Sequence, residues 1–219
     1  MALRLFLDSA DPHAWQQWLP SGLFHGVTTN PTLLLRAAQT CSLDNLAALS
    51  ATALSYGIAE LHLQAWGPSP AKMLGCAEQL AALAPGRIAV KLPVTRLGAA
   101  VGRELGRRGI PVTFTACYEV HQVLVAAALG ATYIAPYLGR INDQGRDGMA
   151  EVIAMQRCLE GVGSSVRLLA ASLRQPGELS ELAGAGLNTF TISPELAAEL
   201  FSSGATAAAS AQFELDAQS

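Results

Sequence analysis

Within residues 87–98, read R-I-A-V-K-L-P-V-T-R-L-G, a lysine interrupts an apolar run: Ile88, Ala89, Val90, Leu92 and Val94 surround Lys91. Such a run reads as a strand covered on both faces, so the lysine is expected to be buried. Burial disfavours the ammonium form, and a buried lysine tends to give up its proton near neutral pH. Moving its pKa from near 10.4 to about 7–8 corresponds to about 3–5 kcal/mol of unfavourable surroundings for the cation. A neutral amine attacks carbonyl carbon, which makes Schiff-base chemistry one reading of Lys91. The other is a lysine whose stem is buried and whose head reaches water or a carboxylate. The strand by itself leaves both open.

A lysine in a buried strand needs a scaffold of buried strands. Eight short β-type runs recur along the chain, at 3–7, 26–28, 60–65, 88–92, 112–116, 133–136, 166–171 and 189–192. Between them lie stretches with helical periodicity at 43–56, 70–83, 97–108, 119–129, 148–159 and 176–183, each ending near a Gly or Pro. Repeated βα units with buried parallel strands make either a doubly wound sheet or a closed barrel, and eight strands favour the α/β class as a (β/α)8 TIM barrel. No Gly-x-Gly-x-x-Gly follows a strand, which weakens the dinucleotide-binding alternative. No linker or composition shift divides residues 1–219, so one domain is expected, with an extra helical segment at about 194–219. That segment lies beyond the eighth strand and is free to pack on a neighbouring subunit.

Composition narrows the function classes. The chain of 219 residues is 51% hydrophobic and 14% charged, apolar for a soluble protein, which fits a two-layer barrel or an outer face covered by other copies. A net charge of −3 offers no basic stripe, so nucleic-acid binding is not expected. No apolar run reaches the roughly 18 residues needed to span a bilayer, and M-A-L-R-L-F-L-D lacks the long core and cleavage site of a signal peptide. A cytoplasmic protein is expected. Cys41, Cys76, Cys117 and Cys158 are widely spaced, with no Cys-x-x-Cys pair, which argues against zinc and a disulfide framework. His13, His25 and His62 are not grouped for metal either.

In a (β/α)8 barrel, chemistry sits at the C-terminal strand ends. Polar residues collect there. The first strand ends in Asp8, the second runs into Thr28-Thr29-Asn30, the third carries Gln64, the fourth Lys91 and the fifth Thr113 and Thr115. The sixth leads to Tyr137 and Arg140, and the seventh to Ser172 and Arg174. Each alone has a structural explanation: Asp8 as a cap, Thr29 and Asn30 as a turn, Ser172 as a helix start, Arg140 as a surface charge. Together they would bring an acid, an amine, a phenol and two guanidinium groups to one mouth, the pattern of an enzyme.

Five motifs then resemble a known family. L-F-L-D-S-A from Leu5, G-V-T-T-N-P-T from Gly26, V-K-L-P-V-T-R-L-G from Val90, A-T-Y-I-A-P-Y-L-G-R-I from Ala131 and L-A-A-S-L-R from Leu169 are similar, in order, to the small-subunit branch of the transaldolase family, which includes fructose-6-phosphate aldolase. The resemblance implies a barrel enzyme of sugar phosphate metabolism, connected with the pentose phosphate pathway, that forms Schiff bases without metal or organic cofactor. It also implies a homo-oligomer, rings of five stacked into decamers, with the C-terminal helix reaching a neighbour. By motif, Lys91 resembles the Schiff-base lysine and Asp8 the acid/base group. Asn30, following the Thr28-Thr29 pair, resembles the residue that holds donor hydroxyls. Thr115, Gln64 and Tyr137 resemble the trio that positions a catalytic water. Arg140, Ser172 and Arg174 resemble the phosphate site, a task suited to forked guanidinium donors.

Within the family, glutamine on strand three and tyrosine on strand six resemble the aldolases, where transaldolases tend to carry glutamate and phenylalanine. Gln64 and Tyr137, with Ala135 before the proline, therefore point to fructose-6-phosphate aldolase, and a phenol can donate a proton where a phenyl ring cannot. Leu138-Gly139 and Arg174 look more like transaldolases, which keeps that activity as the alternative. Phe114 is typical of neither. Ser9 stands where a threonine is common, and His121 where a small residue or an amide is expected; a surface or subunit-contact position suits His121. Two further alternatives are a non-catalytic sugar-phosphate-binding barrel, and a cofactor-free decarboxylase or isomerase on the same scaffold.

Overall fold

All eight apolar runs form strands. They are β1 (Arg4–Asp8), β2 (Gly26–Thr28), β3 (Glu60–Gln64), β4 (Ile88–Pro93), β5 (Val112–Cys117), β6 (Tyr133–Pro136), β7 (Arg167–Leu168) and β8 (Thr189–Ile192) in a computed structural model that describes residues 2–218. The order β7-β6-β5-β4-β3-β2-β1-β8 is parallel throughout. The ring closes at Ala170, whose N–H donates to the Thr189 carbonyl at 3.0 Å and whose carbonyl accepts from Thr191 N–H at 2.9 Å. The sheet is thus a (β/α)8 barrel. The seventh strand is shorter than its apolar run suggests: only Arg167 and Leu168 pair regularly, and 170–171 make isolated bridges before Ser172 turns out of the sheet at φ 59°.

Helices cover the outside: α1 (Pro12–Trp18), α2 (Pro31–Arg36), α3 (Leu43–Ser55), α4 (Pro70–Ala82), α5 (Arg96–Arg107), α6 (Val123–Ala128), α7 (Leu138–Asp143), α8 (Gly148–Gly161), α9 (Pro176–Gly184), α10 (Pro194–Glu199) and α11 (Gly204–Asp216). Five of these have only six or seven residues, and three of the five, α1, α2 and α7, lie outside the stretches with helical periodicity. Two of them still carry a start signal, Asp11-Pro12 and Asn30-Pro31, an N-cap followed by proline at the first helical position. The stretch 119–129 divides into a 3-10 turn, Val120–Gln122, and α6; His121 is exposed on that turn.

Outward-facing strand side chains such as Val27, Leu63, Val90, Leu92 and Ile134 are buried against the helices. Phe114 belongs to that layer. A Cβ at Gly102 of α5 would lie 2.7 Å from its ring, so the bulky residue on β5 is matched by the absence of a side chain on the helix above it. Among the cysteines, Cys117 is buried and its thiol is pushed up to about 12 by desolvation, which keeps it protonated.

Inside the barrel, Phe6, Tyr133, Ala135 and Leu169 form a packed layer with fully buried His62. Beneath it lies a polar floor. His62 Nε2 donates to Glu60 Oε1 at 2.5 Å, which leaves Nδ1 of the neutral ring to accept from Thr113 Oγ1 at 3.0 Å. Tyr133 donates to Glu60 Oε2 at 3.2 Å, and Arg4 bonds the Tyr133 hydroxyl and lies 3.7 Å from the same carboxylate oxygen. Burial pushes His62 below its usual value despite Glu60; burial works against ionised Glu60, but the His62 and Tyr133 hydrogen bonds and the Arg4 charge hold it low.

The segment after β8 is different. Helix α11 buries no residue and exposes Phe213 and Leu215, while Phe201 stacks on Trp18 at 6.2 Å. No helix among the described residues is long and apolar enough to cross a membrane.

The floor predicts how stability follows pH. His62 and His25 have folded pKa values below their ordinary 6.5, so the unfolded chain binds protons that the folded one refuses as pH drops below that value. The histidine contribution to stability should be full above pH 6.5 and fall steadily below it, with lowered Glu60 extending the loss at more acid pH. Urea unfolding between pH 8 and pH 5 reads this, and a flat profile would contradict it.

Candidate active site

Lys91 stands on β4 with 4% of its surface exposed, in the wall of a cavity of about 380 Å³ at the C-terminal ends of the strands. Its Nζ donates to the Thr29 carbonyl at 2.9 Å. Desolvation lowers its pKa, and the charge of Asp8, which lines the same cavity, acts in the opposite sense. Burial therefore favours the neutral, nucleophilic form of the amine, and the nearby carboxylate opposes that effect.

Asp8 is itself fixed by a hydroxyl chain. Thr28 donates to Asp8 Oδ1 at 2.6 Å and, having one proton, must accept from Thr191, whose oxygen lies 2.5 Å away. Strand alternation explains the pair: Thr28 and Thr191 share the inward face with Asp8, whereas the Thr29 side chain does not line the cavity. Thr29 contributes its carbonyl, and its buried hydroxyl has no hydrogen-bond partner.

On the facing wall, Thr115 Oγ1 and the Tyr137 hydroxyl are hydrogen-bonded. Thr115 lies within a register shift between Phe114 and Cys117, with Ala116 at φ 55°, a bulge that re-aims the end of β5. The Tyr137 ring is packed edge-on by Tyr118 at 5.7 Å and capped by the Arg140 guanidinium, 4.9 Å from its centroid. Gln64 has the expected position beside Lys91 in the sheet, but its amide donates to the main-chain carbonyls of Lys91 and Ala65, at 3.1 and 3.3 Å, and does not line the cavity.

Asn30 lines the cavity and caps α2, accepting from Leu33 N–H at 3.0 Å. Arg140, Ser172 and Arg174 line it on the opposite side. Gly139 lets α7 close onto the segment after β7: a Cβ there would collide with the Ser172 carbonyl and lie 2.7 Å from Arg174 Nε. Arg174 is half-exposed and donates to both oxygens of Asp143, at 2.8 and 2.6 Å. Sequence reasoning did not single out Asp143, Arg36, Thr28 or Thr191 as site residues. Inward strand parity would have found Thr28 and Thr191; Arg36 and Asp143 ride on short helices that carry no such signal.

Residues 5–219 match the family described as Transaldolase/Fructose-6-phosphate aldolase. The chain belongs to that family. It is thereby an enzyme of the transaldolase/aldolase type. A "Probable transaldolase" of Phenylobacterium zucineum is 33% identical over 201 residues, 91% of this chain and 89% of that protein. A "Probable transaldolase 2" of Listeria monocytogenes is 33% identical over 208 residues, with the same coverage of 91% and 89%. Among solved structures, a thiamine phosphate pyrophosphorylase from Pyrococcus furiosus superposes with a TM-score of 0.62 at 11% identity, over 87% of this chain and 85% of that one. That likeness concerns the barrel alone.

The chain has two lysines, Lys72 and Lys91, and Lys72 is exposed, so each molecule carries its own control. Reductive alkylation with dihydroxyacetone and cyanoborohydride near pH 7 should modify Lys91 in preference to Lys72. The preference should grow as the pH is lowered from about 10 towards 7, because protonation silences an ordinary amine before the desolvated Lys91. Peptide mass spectrometry reads both positions; equal labelling, or label surviving in Lys91→Met, would refute the activated amine.

Proposed function

We propose that this enzyme cleaves and forms ketose phosphates through a dihydroxyacetone enamine on Lys91, acting as a fructose-6-phosphate aldolase. The observation that carries the reading is an amine with 4% exposure in the wall of a cavity it shares with Asp8. Lys91 Nζ adds to the C2 carbonyl of the ketose, and loss of water gives an iminium that draws electrons. Asp8 accepts the C4 hydroxyl proton as the C3–C4 bond breaks, its electron pair moves into the iminium, and an aldehyde phosphate departs. Thr28 keeps the Asp8 carboxylate oriented for that transfer. Protonation of the enamine at C3 and addition of water then release dihydroxyacetone and restore the amine.

The Thr115–Tyr137 pair is suited to the last step, because a phenol held at the cavity wall by a second hydroxyl can relay a proton to the adduct or to water. Gln64 acts less directly, through the main chain that carries Lys91. Asn30 would hold hydroxyls of the three-carbon fragment, and Arg140, Ser172 and Arg174 the phosphate. A second reading, transaldolase, has its own support in the names of the relatives and in Arg174. In that case an aldose phosphate captures the enamine before a proton does. We also infer a homo-oligomer, because α11 buries nothing within its own chain and exposes Phe213 and Leu215.

Fructose 6-phosphate supplied with and without erythrose 4-phosphate separates the activities. Free dihydroxyacetone without acceptor is expected; sedoheptulose 7-phosphate formed only with acceptor, and no free triose, would establish the second reading. Tyr137→Phe should raise transfer relative to release by roughly tenfold or more if the phenol supplies the proton. An unchanged product ratio would take Tyr137 out of the protonation step.

A further inference from the structure

The positive charge around the mouth is unevenly committed. Arg174 has both terminal nitrogens on Asp143, at 2.8 and 2.6 Å, so its fork is already filled by a carboxylate. Arg140 lies over the Tyr137 ring, 4.9 Å from its centroid, where the Tyr118 and Tyr137 phenols both act to raise its pKa. A third guanidinium, Arg36, lines the same cavity, and its side chain makes no ion pair or hydrogen bond among the described residues. It sits on α2, whose first turn is fixed by the Asn30 cap. Leu33 and Arg36, three residues apart on one helix face, both line the cavity. The strand order puts β2 four positions round the ring of eight from β6, so Arg36 and Arg140 stand on opposite walls.

We propose that Arg36 is a specificity-determining residue that binds the phosphate of phosphorylated substrates from the α2 side of the mouth. The inference rests on the reading of the cavity as a sugar phosphate site and adds a ligand to it. For Arg174 to present the fork of its terminal nitrogens to a phosphate it must first release Asp143, exchanging one bidentate anion for another. Arg36 has no such exchange to make. An uncommitted guanidinium at the mouth also attracts an incoming dianion before contact, an effect that salt weakens.

Arg36→Gln and Arg36→Lys, assayed on fructose 6-phosphate and on unphosphorylated fructose, test this. Arg36→Gln should raise the KM for fructose 6-phosphate by roughly tenfold, the scale of one lost charge-assisted contact, and change kcat far less. It should alter the fructose reaction less than twofold, and Arg36→Lys should recover much of the loss. An unchanged KM for the phosphate ester, or an equal loss with fructose, overturns the inference while leaving the aldolase reading intact. Calorimetric titration with inorganic phosphate makes the test independent of turnover: binding should weaken by roughly tenfold in Arg36→Gln. If the wild type forms no borohydride-trapped three-carbon adduct on Lys91, the aldolase reading fails, and the titration still decides Arg36. Phosphate binding that is absent in the wild type, or unaffected in the variant, overturns it.

Discussion

Lys91 Nζ gives a hydrogen to the Thr29 carbonyl and is otherwise enclosed by barrel side chains, with 4% of the residue in contact with solvent. Water would solvate an ammonium ion far better than one carbonyl does, and that difference lowers the amine's pKa. Asp8 limits the effect. Were the carboxylate absent, the amine would lose the charge that partly favours its protonated form; were it paired directly with the amine, it would hold the proton there. Its tie to Thr28 and Thr191 keeps it occupied on one oxygen by hydroxyls. The barrel supplies the low-dielectric enclosure, and the strand ends supply the few polar groups that make it chemically useful.

The interior is arranged in layers along its axis. At the N-terminal end, Glu60, Arg4 and Tyr133 satisfy one another, and His62 links this floor to Thr113. The middle is filled by Phe6, Tyr133, Ala135 and Leu169. The hydroxyls and ionisable groups of the cavity lie at the other end. Unpaired charge is therefore kept from the middle of the barrel, where it would be most costly, and the two polar layers are separated by packed rings.

Much of this arrangement was legible in the residues. The eight strands could be read because parallel, doubly covered strands leave near-continuous apolar runs, and Lys91 drew notice because it breaks one of them. Asp8, Tyr137 and Arg140 were readable as polar residues just past such runs. What the residues alone do not show has physical origins. Thr29 and its neighbour Thr28 differ only by strand parity, and the inward one meets Asp8. Gln64 has the right residue type and strand, yet main-chain carbonyls within reach capture its amide. Helices α2 and α7 are too short for periodicity, so Arg36 and Asp143 are placed at the mouth by loop geometry that composition does not encode. His62 carried no metal-like spacing, and its burial follows from an alternation that puts it between Glu60 and Gln64 on the inner face of β3.

The filled layer of Phe6, His62, Tyr133 and Leu169 has a consequence for the order of events. It turns the barrel into a cul-de-sac with Lys91 near its closed end. A fragment released by bond cleavage and the molecule that succeeds it share one doorway, and the newcomer cannot slip in from behind. Turn-taking between the departing aldehyde and the next reactant, whether water or sugar, is thus imposed by shape before any side chain exerts a chemical preference.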